Sequence, residues 1–264
     1  MCFKEKKVTQ MIKIIQVPVL SDNYSYIIVD KKSKITACID PPVIDEIVEV
    51  LKSENLNLDY IINTHHHHDH VGGNIGLQKI FNCKIMGNHK DQNRIPGINI
   101  KLENNKNYSL GESEFIIIDT PGHTVGHICL YFEENDILFS GDTLFSLGCG
   151  RLFEGSVDQM VKSLKKLRSL PEHTKIYCGH EYTRSNANFA IHLNPDNDKL
   201  KQQVEHIENQ FKEYSSTIPF KLKEEIEFNP FLNFDNPYYL EAIGFENLGE
   251  FENFKKIRIM KDEF

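Results

Sequence analysis

Apolar and polar residues alternate in short runs through the first part of the chain. Residues 12–20 are rich in Ile and Val, residues 24–30 read Tyr-Ser-Tyr-Ile-Ile-Val-Asp, and residues 34–40 end at Pro41-Pro42. Short extended segments with turn residues between them predict an antiparallel meander. The period then lengthens: Val43, Ile44, Ile47, Val48 and Leu51 fall on one helical face over residues 43–52. Residues 58–63 return to a buried strand. Gly72-Gly73 opens a helix over 74–81, and strands are expected at 84–87, 115–120, 127–132 and 136–140. Val157, Met160, Val161, Leu164 and Leu167 share one side of an amphipathic helix over 156–170. A last strand at 175–178 precedes Gly179-His180. Strands cluster first and then alternate with helices, which predicts an α+β fold of two packed sheets with helices outside.

The character changes beyond His180. Leu200, Val204, Ile207 and Phe211 place one apolar stripe on a helix over 198–214. Pro195, Pro219, Pro230 and Pro237 divide the remainder, whose last stretch is rich in Phe. The expected organisation is one domain over residues 1–180 and a mostly helical second domain over 181–264.

Composition narrows the function classes. A chain of 264 residues with 40% hydrophobic and 26% charged residues can bury a sizeable core and fits a folded soluble protein. A formal net charge of -8 argues against a nucleic-acid partner. No apolar run approaches the roughly 18 residues that cross a membrane. Residues 1–10 carry Lys4, Lys6 and Lys7 without an apolar segment behind them, so they are read as a solvated leader of a cytoplasmic protein, a monomer or weak oligomer. Cys2, Cys38, Cys83, Cys129, Cys149 and Cys178 form no C-x-x-C pair and are expected to be reduced and mostly buried.

The candidate chemistry lies at strand ends. Residues 64–70 read Thr-His-His-His-His-Asp-His, directly after the strand at 58–63. In an extended or tightly turning segment His65 and His67 point to one side and His66 to the other, while Asp69 and His70 enter the turn into the next helix. One loop then offers ligands to two neighbouring ions. Imidazole and carboxylate suit zinc, and also iron or manganese. His123 sits on a loop fixed by Pro121 and Gly122 after another strand, and His127 begins the next strand, where a structural role is expected. Asp142 and His180 follow two further apolar strands. Four strand ends delivering ligands to one edge predict a site for two metal ions and hydrolysis by an activated water. Two cations sharing a water depress its pKa and stabilise the oxyanion of an attacked carbonyl. A thioester suits such a site, because a thiolate leaves without a strong acid. No G-x-S-x-G motif is present, which argues against a serine hydrolase.

In order, the motifs T-H-x-H-x-D-H, P-G-H-T-x-G-H, G-D-T-L-F and G-H-E-Y-T resemble the signature of the metallo-β-lactamase superfamily. Gly148-Cys-Gly-Arg151, Glu154-Gly155, Asn229-Pro-Phe231 and Arg258-x-x-Lys261-Asp narrow the resemblance to glyoxalase II, the hydroxyacylglutathione hydrolases. The resemblance implies an αββα sandwich with a helical C-terminal domain. It implies His65, His67 and His123 on one ion, Asp69, His70 and His180 on the other, and Asp142 bridging both, with Asp69 and Asp142 counted as catalytic. The ions implied are two divalent cations, zinc first, with iron or manganese as alternatives. Arg151, Tyr182, Arg258 and Lys261 are the implied glutathione contacts. On charge alone Lys255, Lys256, Arg258 and Lys261 would be an ordinary solvated face. His66 and His68 are assigned to packing or support, and Asp40 to support of a ligand. Phe153 departs from the family pattern, which often has Tyr there. The implied reaction converts S-(2-hydroxyacyl)glutathione, typically S-lactoylglutathione, to glutathione and a 2-hydroxy acid, the second step of methylglyoxal detoxification. A persulfide dioxygenase, a nuclease and an inactive binding module are weaker alternatives, given the long helical tail, the acidic charge and the full ligand set.

Overall fold

A computed structural model describes residues 11–264; the lysine-bearing leader and Cys2 lie outside the described residues. Strands β1 (Ile12–Val19), β2 (Asn23–Asp30) and β3 (Thr36–Ile39) form the expected antiparallel meander. Helix α1 (Asp45–Ser53) leads to β4 (Tyr60–Ile62). The short helix α2 (His68–Val71) and α3 (Asn74–Phe81) lead to β5 (Lys84–Asn88), and β6 (Ile100–Leu102) closes this sheet in the order β1-β2-β3-β4-β5-β6. The last three pairings are parallel.

The second sheet contains β7 (Asn107–Leu110), β8 (Ser113–Asp119), β9 (Ile128–Phe132) and β10 (Ile137–Gly141). A small hairpin follows, β11 (Leu144–Phe145) with β12 (Gly148–Cys149), and then α4 (Val157–Arg168) and β13 (Lys175–Cys178). The remainder is mostly helical, as expected: α5 (Thr183–Leu193), α6 (Asp198–Tyr214), α7 (Leu222–Phe228), α8 (Pro237–Ala242) and α9 (Glu250–Glu263), with β14 (Phe220–Lys221) before α7.

The burial pattern explains the layers. In β2, Tyr24, Tyr26 and Ile28 enter the core between the sheets, while Ile27 and Val29 enter the core beneath α1 and α3. A strand covered on both faces reads as an unbroken apolar run. Ser156 starts α4 with a capping box to Gln159, and Met160, Val161, Leu164 and Leu167 are fully buried on its inner face. Each such side chain contributes roughly 1.5–3 kcal/mol of burial. The result is the α+β, αββα arrangement that the pattern predicts.

Strands β6, β7 and β14 are absent from the sequence reading. They are two to four residues long, and only pairing with longer neighbours defines them. Strand β14 matters most for the site. It belongs to residues 181–264 but pairs antiparallel with β13, whose end leads to His180. Phe231, Phe234 and Phe254 from the same region enter the core that α4 and both sheets share. Cys38, Cys83, Cys129, Cys149 and Cys178 are unpaired and buried. Among the described residues no helix is long and apolar enough to cross a membrane.

Candidate metal centre

The ends of β4, β8, β10 and β13 lie at one edge of the sandwich, and each is followed by ligand-type side chains. In the first cluster His65 Nε2 and His123 Nε2 lie 3.1 and 3.0 Å from His67 Nδ1. Three ring nitrogens converge on one point. A tetrahedral ion with bonds of about 2.0–2.1 Å needs nitrogens roughly 3.4 Å apart, so this spacing is close to a ligand triad. Burial holds His65 and His123 below the usual imidazole range, and burial together with His123 pushes His67 down to about 4. All three are therefore neutral donors at neutral pH, the form that binds metal.

The second cluster gathers Asp69, His70 and His180. His180 Nε2 lies 3.4 Å from Asp69 Oδ2, and His70 Nε2 lies 3.5 Å from the same oxygen. Asp142 faces both clusters. Its Oδ1 is 3.6 Å from His70 Nε2, while its Oδ2 is 3.3 Å from His180 Nε2 and 3.5 Å from His123 Nε2. His70 Nε2 and Asp142 Oδ1 are buried without a hydrogen-bond partner. Buried polar atoms that lack partners are rare and need an explanation. Here both point at the centre of the ligand set, where a cation satisfies them.

Electrostatics lead to the same conclusion. Burial opposes charge on His70, but Asp142 and Asp40 outweigh it and push the imidazole up to about 10. Burial also opposes charge on His180, yet Asp142, Asp69 and Asp22 raise it to about 11. The carboxylates thus demand positive charge at this spot, which divalent ions supply more strongly than protons. The residues present fit a binuclear metal centre.

A second layer fixes the ligands. Asp40 receives the Thr64 backbone N–H at 2.8 Å, the Thr64 hydroxyl at 2.6 Å and His70 Nδ1 at 3.0 Å. Asp22 receives His180 Nδ1 at 2.8 Å, and Asn23 donates to Asp69 Oδ2 at 3.0 Å. His123 Nδ1 donates to the Arg151 carbonyl at 2.9 Å. Buried His127, pushed down to about 3 by burial and His123, accepts the Asp142 backbone N–H at 3.0 Å, a structural role. His66 turns away from the ligands toward Asp91 and Glu154, and His68 is exposed. Asp22 and Asn23 are absent from the sequence reading. Asp22 closes the turn before β2 and Asn23 opens that strand, more than a hundred residues from His180, and no local signal links them to the site. Replacing Asp40 with Ala is expected to weaken metal affinity by about tenfold to a hundredfold, because it frees the His70 ring. Metal titration against a competing chelator checks this, and unchanged affinity would remove Asp40 from the support of the site.

A cavity of about 570 Å³ opens over both clusters, with Arg151, Phe153, Tyr182, Arg258 and Lys261 on its walls. The Tyr182 ring stacks on His180 at 4.7 Å, and burial with nearby Asp22 raises its phenol, which therefore keeps a proton to donate. Lys261 Nζ donates to Ser185 O and Oγ at 3.1 Å, and burial beside Arg258 lowers its ammonium to about 8. Arg258 is only 6% exposed; it donates to the Cys149 carbonyl at 3.1 Å and to Asp262 at 2.8 Å. Phe153, 62% exposed, sets its edge against His67 and His123.

Comparison with known proteins follows the two parts of the chain. Residues 42–180 match the Metallo-beta-lactamase superfamily model, and residues 181–264 match the model described as Hydroxyacylglutathione hydrolase C-terminus. A hydroxyacylglutathione hydrolase of Methylococcus capsulatus is 44% identical over 96% of this chain and 99% of its own length. The Pelagibacter ubique protein of the same name is 44% identical over 93% of this chain and 97% of its own. Among solved structures, ETHE1 from Myxococcus xanthus aligns with a TM-score of 0.65 at 22% identity, covering 94% of this chain and 96% of that one. The BLEG-1 B3 metallo-beta-lactamase gives 0.64 at 22% identity, covering 83% and 99%. At those identities the structural likeness establishes the fold alone.

Proposed function

Since this chain belongs to the metallo-beta-lactamase superfamily and, within it, to the hydroxyacylglutathione hydrolases, we propose that it hydrolyses S-(2-hydroxyacyl)glutathione to glutathione and a 2-hydroxy acid. S-lactoylglutathione is the substrate we assign, with D-lactate as product, the second step of methylglyoxal detoxification. One observation carries the reading: a single cavity joins two ligand clusters that share Asp142 to a cationic and aromatic wall.

The His and Asp clusters hold divalent metal ions. Zinc is the ion we assign, with His65, His67 and His123 to one ion, Asp69, His70 and His180 to the other, and Asp142 to both. When bound, such ions would supply a water of lowered pKa and a Lewis acid for the thioester carbonyl. The protein's own groups do the rest. Asp142 faces both clusters and fixes their separation, while Asp69 stays ionised, its carboxyl held low by the His180 hydrogen bond. Arg151 and Lys261 bring cations to the peptide carboxylates of the substrate, and Tyr182 offers a phenolic O–H. Arg258 lines the same cavity and holds its wall through Cys149. Phe153 presents a ring where no hydroxyl is available, so the neighbouring contact is apolar. Residues 1–180 then form the catalytic part and 181–264 the substrate-holding part. The buried, unpaired cysteines support a reducing, cytoplasmic setting, and the net charge of -8 supports a small-molecule partner over nucleic acid.

The test is hydrolysis of S-D-lactoylglutathione with metal quantified in the same sample. Thioester cleavage by protein carrying close to two ions supports the reading, and a fully metallated protein that leaves the thioester intact overturns it. Replacing Lys261 with Ala is expected to raise KM about tenfold while kcat stays within about threefold, since the lost contact binds ground and transition states alike. An unchanged KM would remove Lys261 from substrate binding.

A further inference from the structure

The β11–β12 hairpin sits between two parts of the metal centre. Asp142 precedes it, with only Thr143 between them. Arg151, whose carbonyl accepts from His123 Nδ1, follows it, with only Gly150 between them. Its base is closed by the Gly150 N–H donating to the Thr143 carbonyl at 3.2 Å. The fit is tight: a Cβ on Gly150 would lie 1.9 Å from the Asp142 carbonyl oxygen. A shift of the hairpin therefore moves Asp142 and the partner of His123 together.

Five polar groups of this hairpin are bonded by side chains from residues 181–264. Glu225, on α7, receives the Leu147 backbone N–H at 2.7 Å and the Ser146 hydroxyl at 3.1 Å. Asn229 donates to the Phe145 and Gly148 carbonyls at 3.2 and 3.1 Å, and to Glu225 at 2.8 Å. Asn186 donates to the Ser146 carbonyl at 3.0 Å. The tip needs these partners, because Leu147 has φ +54°, a left-handed conformation that a leucine adopts only when its surroundings hold it. Glu225 is itself 1% exposed, and burial pushes its carboxyl up to about 8. Burying an acid is costly unless its hydrogen bonds are required. Here it is the only carboxylate bonded to the tip among the described residues.

We propose that Glu225 is a positioning residue for the metal centre: through the β11–β12 hairpin it sets Asp142 and His123, so the C-terminal region shapes the ligand set as well as the substrate cavity. The inference rests on the metal-binding reading of the site. It assigns Glu225 no contact with substrate or ion.

The experiment compares Glu225→Gln and Glu225→Leu with the unaltered protein. It measures zinc affinity against a chromophoric chelator, the visible spectrum of the cobalt-substituted protein, steady-state kinetics and thermal melting. Glutamine keeps the shape, one acceptor for Leu147 and Asn229, and an N–H that Ser146 can accept, so it is expected to stay within about twofold of the unaltered protein. Leucine leaves the tip donors without an acceptor. It is expected to weaken binding of at least one ion about tenfold, shift the cobalt bands and lower kcat about tenfold, with KM within about twofold. A Glu225→Leu protein with unaltered metal affinity, spectrum and kcat overturns the proposal, even if it melts earlier. If Glu225→Leu does not fold, Ser146→Ala decides. It removes one bond to the same carboxylate and is expected to shift affinity and spectrum in the same direction by a smaller factor; no shift overturns the proposal. Failure of the unaltered protein to bind metal would instead sink the underlying reading of the site.

Discussion

Replacing Asp142 with Ala is expected to lower kcat on S-lactoylglutathione by about a thousandfold, a loss of about 4 kcal/mol of transition-state stabilisation. The variant is also expected to retain at most one tightly bound ion. The reason is geometric: among the described residues, Asp142 is the one ligand-type side chain with an oxygen near nitrogens of both clusters, His70 and His180 on one side and His123 on the other. Alanine leaves His65, His67 and His123 as an intact triad but strips the second cluster to Asp69, His70 and His180. It also removes the negative charge that balances two adjacent cations. Metal content by elemental analysis, read beside kcat, checks both halves. Two full equivalents of metal, or turnover like that of the unaltered protein, would refute the shared-ligand assignment.

Removing the ions with a chelator is expected to abolish turnover and to lower the melting temperature. Adding zinc back should restore both. An ion that binds only the folded chain, at a free concentration about a hundredfold above its dissociation constant, stabilises by about 2.7 kcal/mol. For a chain of this size that is a shift of roughly 5–10 °C. The structure gives the effect a local cause, because Asp40 and Asp142 are buried around His70, and His70 Nε2 and Asp142 Oδ1 find no partner within the protein. A melting temperature and turnover indifferent to chelation would dispose of the metal centre altogether.

Much of this site can be read along the chain, because its ligands sit where local patterns change. His65 to His70 follow an apolar strand, His123 lies on a loop framed by Pro and Gly, and Asp142 and His180 close further strands. Strand ends are local events, and period-two patterning finds them. What the pattern does not carry is pairing across distance. Asp22 meets His180, and Glu225 meets Leu147, only because separate elements pack together. The short strands β6, β7 and β14 owe their existence to neighbours rather than to their own residues. Arg258 stands in a basic run that reads as a solvated face, yet α9 turns it inward, behind the Cys149 carbonyl and over the Phe231 ring. A helix with apolar residues spread around it gives no stripe from which the buried side could be inferred.

The pairing of β14 with β13 has an evolutionary consequence. Family models divide neatly after His180, which makes the tail look like a cassette that lineages could trade. Yet the tail supplies an edge strand to the preceding half and adds phenylalanines to its interior. A recombination crossover at that point would have to match backbone register and aromatic volume at once. Point changes around the cavity mouth leave that shared register and core untouched, whereas exchange of a whole half does not.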